Sequence, residues 1–295
     1  MNSEKMIVAP GCYDGISAKI VERIGFKAAY LTGFGAEASI LGTPDIGLTS
    51  LTELVSHAKN IASAVNMPVI CDGESGFGDA KNIWREVREF EKAGVAGIHI
   101  EDQILSKKCG SMGGRQVVSL EEAIGRIRAA CDARTDPDFI IIARSDARYM
   151  GLDEVMRRLN AYHKAGADLV MVAEWYSEEE LRTVVKGVQV PWTHLYILHD
   201  VSRKSSYEHF TIKDYEDLGT KLLILPTPQI MAATKAIRDL WTHLKEKEQI
   251  TKEYAHEHLT TYKDFWDITG LPEWIEREEK YVPGARSSPK SGALK

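Results

Sequence analysis

Val69-Ile70-Cys71-Asp72-Gly73-Glu74-Ser75-Gly76-Phe77-Gly78 and Gly97-Ile98-His99-Ile100-Glu101-Asp102-Gln103 share one pattern: an apolar run of strand length that ends in carboxylates. Between them, Ala80–Ala93 sets Ile83, Val87 and Phe90 on one helical face, and Gly94 follows as a stop. A strand apolar on both faces, an amphipathic helix and a second such strand read as one βαβ unit of a parallel sheet.

Outward from this unit the pattern recurs. Strands are predicted at Met6–Ala9, Ala28–Leu31, Val69–Cys71, Gly97–Ile100, Phe139–Ala143, Leu169–Val172, Val190–Leu198 and Lys221–Leu225. Helices are predicted at Asp14–Ile24, Leu51–Ala64, Ala80–Ala93, Leu120–Ala133, Leu152–Ala165, Glu178–Lys186, around Tyr215–Leu218, and at Ile230–Lys247. Ser119 and Glu122 have the spacing of a capping box before the fourth of these. Eight repeats point to an α/β fold of the closed (β/α)8 type, a TIM-like barrel, rather than a doubly wound sheet. Pro10-Gly11-Cys12-Tyr13-Asp14-Gly15 is not the glycine fingerprint a dinucleotide fold would carry after its first strand.

The barrel is assigned to residues 1–247 and a C-terminal helical extension to 248–295. The extension is rich in aromatic side chains: Tyr254, Tyr262, Phe265, Trp266 and Trp274. Such a surface packs either on a neighbouring subunit or back over its own barrel. From Val282 onward the composition reads as a loose end.

Composition narrows the function classes. Apolar content of 44% supports a sizeable core. A net charge of -6 without a basic block argues against nucleic acid or an anionic membrane as partner. No apolar run reaches the length of a membrane span. The four cysteines show no metal spacing and read as reduced thiols of a cytoplasmic protein.

In a (β/α)8 barrel the chemistry lies at the C-terminal ends of the strands. Those ends carry Thr32-Gly33-Phe34-Gly35 with Asp45 beyond, then Asp72 and Glu74, Glu101 and Asp102, Arg144 and Asp146, and Glu174. One strand-end acid is usually a helix cap. Several together repel, and a divalent cation relieves the repulsion; Mg2+, with Mn2+ as the alternative, suits an all-oxygen set. Arg144 presents a planar fork suited to a carboxylate or phosphonate. Cys109 lies between Lys107-Lys108 and Gly110, with Gly113 and Gly114 beyond. The two lysines are expected to favour its thiolate, and the glycines to let the loop close over a ligand. The competing reading is an ordinary glycine-rich loop with an incidental cysteine. His99 reads as packed rather than catalytic, Cys71 and Cys131 as small hydrophobes, and Cys12 as near the site without activation.

At these residues the chain resembles the isocitrate lyase / phosphoenolpyruvate mutase superfamily, nearest the branch of the 2-methylisocitrate and 2,3-dimethylmalate lyases. The resemblance rests on Gly11–Ala18, Gly42-Thr43-Pro44-Asp45, Asp72–Gly78, His99–Gln103, Lys107–Gly110 and Ile142–Ala147, in that order and spacing. It implies a metal set of Asp45, Asp72, Glu74 and Glu101 around Mg2+ and its waters. It implies substrate contacts from Tyr30, Thr32, Gly33, Phe34, Lys107, Gly110, Ser111 and Arg144. Cys109 would be the acid/base, with Arg144 and Glu174 beside it. It also implies a homotetramer in which the helix after the barrel is exchanged between subunits.

Three departures bear on the substrate. Glu74 replaces the usual Asp and carries its carboxylate ~1.5 Å further. Ser111 replaces the His that usually follows Cys-Gly. Trp192–His199 lacks the usual asparagine pattern of strand seven. The reading is an Mg2+-dependent carbon–carbon lyase that cleaves a 2-hydroxy di- or tricarboxylate to pyruvate or glyoxylate. The alternatives are oxaloacetate hydrolysis or decarboxylation, P–C chemistry on phosphonopyruvate, and a dicarboxylate-binding barrel without turnover.

Overall fold

The structure, a computed structural model, describes residues 5–172, 177–196 and 209–282. Eight parallel strands close on themselves in chain order: β1 (Ile7–Cys12), β2 (Ala29–Leu31), β3 (Val69–Asp72), β4 (Gly97–Glu101), β5 (Ile140–Ser145), β6 (Leu169–Val172), β7 (Trp192–Leu195) and β8 (Thr220–Leu225). β1 pairs with β8, so no sheet edge is left. The (β/α)8 expectation holds. β1 runs three residues beyond its predicted end, because Pro10 forfeits one donor while pairing continues at Gly11 and Cys12.

The helices are α1 (Gly15–Ile24), α2 (Gly33–Leu41), α3 (Leu51–Ala62), α4 (Ala80–Ala93), α5 (Leu120–Ala133), α6 (Leu152–Lys164), α7 (Glu178–Gly187), α8 (Ile212–Asp217), α9 (Pro228–Lys247), α10 (Lys252–His258), α11 (Tyr262–Thr269) and α12 (Leu271–Tyr281). α2 is absent from the sequence reading. Gly33 and Gly35 in its first turn hide the pattern, and Thr32 caps it by accepting from the Gly35 amide.

Strand alternation separates two cores. Cys12, Leu31, Cys71, Ile98, Ile100 and Ile141 face the helices and pack with Leu54, Val87 and Phe90. Tyr30, Ile70, Ile142, Leu169, Met171, Leu222 and Ile224 point inward and fill the barrel. Continued toward the strand ends, the same alternation turns Asp72, His99, Glu101 and Arg144 inward. Register makes Asp72 the neighbour of His99, and Glu101 that of Arg144.

The chain divides into two compact units after Met231. In the second, the aromatic stretch forms α10, α11 and α12, with Thr251 and Thr261 capping the first two. No residue of α9 to α12 is buried, and Tyr262 and Trp274 are 75% and 64% exposed. Among the described residues no helix is long and apolar enough to cross a membrane.

Candidate active site

Asp45, Asp72, Glu74, Glu101 and Asp146 are all buried, and Lys107 and Arg144 are buried among them. Expected acids from the ends of β3, β4 and β5 therefore do share one region, but two side-chain cations offset part of their repulsion.

The β3 end is built for close approach. Glu74 adopts a left-handed φ of 56°, uncommon for a residue with a side chain and costing about 1 kcal/mol or more. Its amide donates to Asp72 Oδ1 at 2.9 Å. The α2 N-terminus faces these acids: the Gly33 amide donates to Asp72 Oδ2 at 3.2 Å. A Cβ on Gly33 would overlap Glu74 Oε1 and stand 2.7 Å from Asp72 Oδ2, so a larger residue there must displace both carboxylates. Thr32 is buried, whereas Phe34 is half-buried in the first turn of α2.

Asp72 also receives Tyr30 OH at 3.3 Å, and His99 Nε2 lies 3.4 Å from it. Tyr30 OH and His99 Nε2 are 2.5 Å apart. His99 is packed, as expected, but it is packed inside the site. Its alternation with Glu101 along β4 was the signal. Burial opposes ionisation of Asp72, yet His99, Lys107 and Arg144 outweigh it and hold the carboxyl below its usual range. Burial pushes Glu74 well up despite Lys107, with Asp72, Asp45 and Glu101 adding to the rise. Burial likewise pushes Glu101 up to about 8 against the pull of Arg144.

The glycine-rich loop lies over these acids. Lys107 Nζ is 2.5 Å from Glu74 Oε2 and pairs with Asp45. The Cys109 amide donates to Asp45 O at 3.0 Å, and Ser111 Oγ donates to Cys109 Sγ at 3.2 Å. Gly110 O accepts from Arg115. The expected thiolate is not supported. Lys107 is turned onto the acids, and Lys108 Nζ donates to Gly114 O at 3.0 Å. Burial, then the Asp45 charge, raise the Cys109 thiol above its ordinary value. That direction suits Cys109 to give a proton rather than to take one. Burial pushes Cys12 up to about 12, consistent with an inert thiol.

Arg144 is fixed on both sides. Its Nη1 lies 2.9 Å from Glu101 Oε2, and its Nε and Nη2 donate to Asp146 at 2.9 and 3.1 Å. Glu37, which the sequence reading passed over, steadies the Asp45 loop by accepting from the amides of Gly47 and Leu48. Glu174 and the Ile197–His199 part of strand seven lie outside the described residues.

The donor set fits a hard, hydrated cation. It is all oxygen, and Glu101 Oε1 is buried without a hydrogen-bond partner. Among the described residues no three His, Cys, Asp or Glu side chains already converge in ligating geometry.

The sequence model of the phosphoenolpyruvate phosphomutase family matches residues 1–245. The chain is 43% identical over 285 residues to 2,3-dimethylmalate lyase of Eubacterium barkeri, covering 96% of each chain. It superposes on oxaloacetate acetylhydrolase in complex with the inhibitor 3,3-difluorooxalacetate with a TM-score of 0.86 and 31% identity, covering 95% of this chain and 93% of that one. It superposes on phosphonopyruvate hydrolase in complex with oxalate and Mg2+ with a TM-score of 0.85 and 28% identity, covering 95% and 96%.

Proposed function

The chain belongs to the phosphoenolpyruvate phosphomutase family, which it shares with the isocitrate lyases, and on that premise we propose the roles of its residues in carbon–carbon bond cleavage. It is an enzyme, a carbon–carbon lyase acting on a small 2-hydroxy di- or tricarboxylate of the 2,3-dimethylmalate kind. The observation that carries the residue roles is the placement of Cys109. The Cys109 amide is tied to Asp45 O at 3.0 Å, on a loop whose own lysine reaches Asp45 and Glu74.

The cofactor is a divalent metal, and Mg2+ is the ion that the donor set favours. Asp72, Glu74, Glu101 and Asp45 would hold it and its waters. Bound there, it supplies positive charge to the oxygens on which negative charge develops. Arg144 takes a substrate carboxylate on its remaining donors, while Glu101 and Asp146 keep its plane fixed. Thr32, Gly33 and Phe34 receive the keto-acid end at the α2 N-terminus, with Tyr30 beneath and Gly110 and Ser111 on the loop above. The substrate hydroxyl at C2 gives its proton to a carboxylate of the cluster, the C2–C3 bond breaks, and C2 becomes the carbonyl carbon of pyruvate or glyoxylate. The electron pair passes to C3. Cys109 gives its proton there, releasing the second carboxylate.

The exposed aromatic faces of α11 and α12 are proposed to be covered by a second copy of the chain, in a tetramer that exchanges its C-terminal helices. Tyr262, Trp266 and Trp274 form too much apolar surface for a free face.

The test is release of pyruvate or glyoxylate from a panel of 2-hydroxy di- and tricarboxylates, with Mg2+ and with EDTA. Metal-dependent keto acid from one member supports the assignment. Oxalate from oxaloacetate, or pyruvate from phosphonopyruvate, with no cleavage of the panel would move it to another branch of the family. Binding of the panel without any product would leave a barrel that only recognises dicarboxylates.

A further inference from the structure

Asp146 is fully buried, and beyond holding Arg144 in plane it has no part in the reaction described above. Its carboxylate is nevertheless shared by two arginines with different duties. Oδ2 accepts from Arg144 Nε at 2.9 Å and Oδ1 from Arg144 Nη2 at 3.1 Å. Arg115 Nη1 lies 3.5 Å from the same Oδ1. Arg115 belongs to the loop that carries Cys109, and its guanidinium also donates to Gly110 O, the residue beside the thiol.

Asp146 is also pinned through its backbone. Its amide donates to Asp102 Oδ1 at 2.8 Å. Asp102 Oδ2 is held in turn by Ser145 Oγ at 2.8 Å, Tyr162 OH at 2.7 Å and Arg158 Nη1 at 3.2 Å. Arg158 Nη2 donates to Val118 O at 2.9 Å, where the loop returns to the barrel. Arg144 and two points of the loop therefore hang on neighbouring acids at the ends of β4 and β5.

We propose that Asp146 is a positioning residue that couples the substrate-binding arginine to loop closure through Arg115. With the loop down, Arg115 shares Asp146 Oδ1, and the Arg144 guanidinium and the Cys109 segment are fixed together. With the loop up, Asp146 keeps Arg144 alone. Binding of a dianion at Arg144 and closure of the loop then favour one another. The inference rests on the reading that Arg144 takes a substrate carboxylate.

The probe is oxalate with Mg2+, which requires no turnover. In the native enzyme it should protect the Leu105–Val118 segment from thermolysin. Arg115→Gln should abolish that protection and weaken oxalate by about fivefold or more, the lower end of measured site-to-site coupling. Arg115→Lys should recover most of both. Asp146→Asn should show the same loss, and the Arg115→Gln/Asp146→Asn double variant should be no worse than the worse single one, since both break one link. Arg115 is on a loop, so its variants decide the matter even if Asp146→Asn fails to fold. Native protection and affinity in Arg115→Gln, or losses that multiply in the double variant, would overturn the coupling. Absence of any oxalate binding to the native enzyme would overturn the Arg144 reading, and the coupling with it.

Discussion

Lys107 Nζ lies 2.5 Å from Glu74 Oε2 and also pairs with Asp45, so a loop residue supplies the charge that lets two acids stay buried. Removing one partner from such a group costs about 3–5 kcal/mol, because the remaining charges keep their desolvation penalty. Glu74, already pushed up by burial, takes up a proton and softens the loss. Lys107→Ala is expected to lower stability in urea. It should also gain more in melting temperature from added Mg2+ than the native enzyme does, because the ion then answers acids with no other cation. Equal melting, with and without metal, would place the charge balance elsewhere.

Cys109→Ser keeps the size of the side chain and removes its acidity. With the thiol as proton donor, kcat should fall by about 10²–10⁴-fold while oxalate affinity stays near native. Single-turnover measurement on the substrate found in the panel separates this from a binding defect. Native turnover in the serine variant would end the assignment.

Gly33→Ala tests the close approach of α2 to the metal acids. The added methyl group meets the Glu74 and Asp72 carboxylates, which are buried and tied to neighbours, so it must displace paired groups. An overpacking cost of about 1–3 kcal/mol should appear mainly in kcat/KM, at roughly 5–150-fold, and in a weaker requirement curve for Mg2+. A variant with native Mg2+ activation would show that the acids can yield.

Much of this was legible in the chain because a parallel barrel writes itself plainly. Doubly buried strands are apolar throughout, and their last inward residues are the site. Asp72, Glu101 and Arg144 could be placed by counting along strands. What escaped was carried by approach between segments distant in sequence. Lys107 looked like a neighbour that would ionise Cys109, but it reaches across to Asp45 and Glu74 instead. Helix α2 was hidden because Gly33 and Gly35 serve close packing at the expense of helix propensity. Arg115 carries no signal in the sequence, and only its distance to Asp146 singles it out.

His194 offers a test of the fold away from the chemistry. It lies on the outer side of β7, stacked on Trp192 with ring centroids 5.1 Å apart, and its Nδ1 is 2.8 Å from Thr220 Oγ1. Nε2 is buried without a hydrogen-bond partner. Burial lowers its pKa to about 4, against 6.5 for the unperturbed side chain. Between these values the unfolded chain takes up a proton that the folded one refuses. The stability linked to His194 is therefore complete above pH 6.5 and is lost progressively as the pH falls toward 4. At about 1.4 kcal/mol per unit the loss reaches roughly 3 kcal/mol. Urea unfolding at pH 7, 5.5 and 4.5 should show a steeper fall for the native enzyme than for His194→Gln, which cannot take that proton. Other groups titrate in both proteins and cancel in the difference, so equal slopes would mean that His194 is hydrated in the folded state.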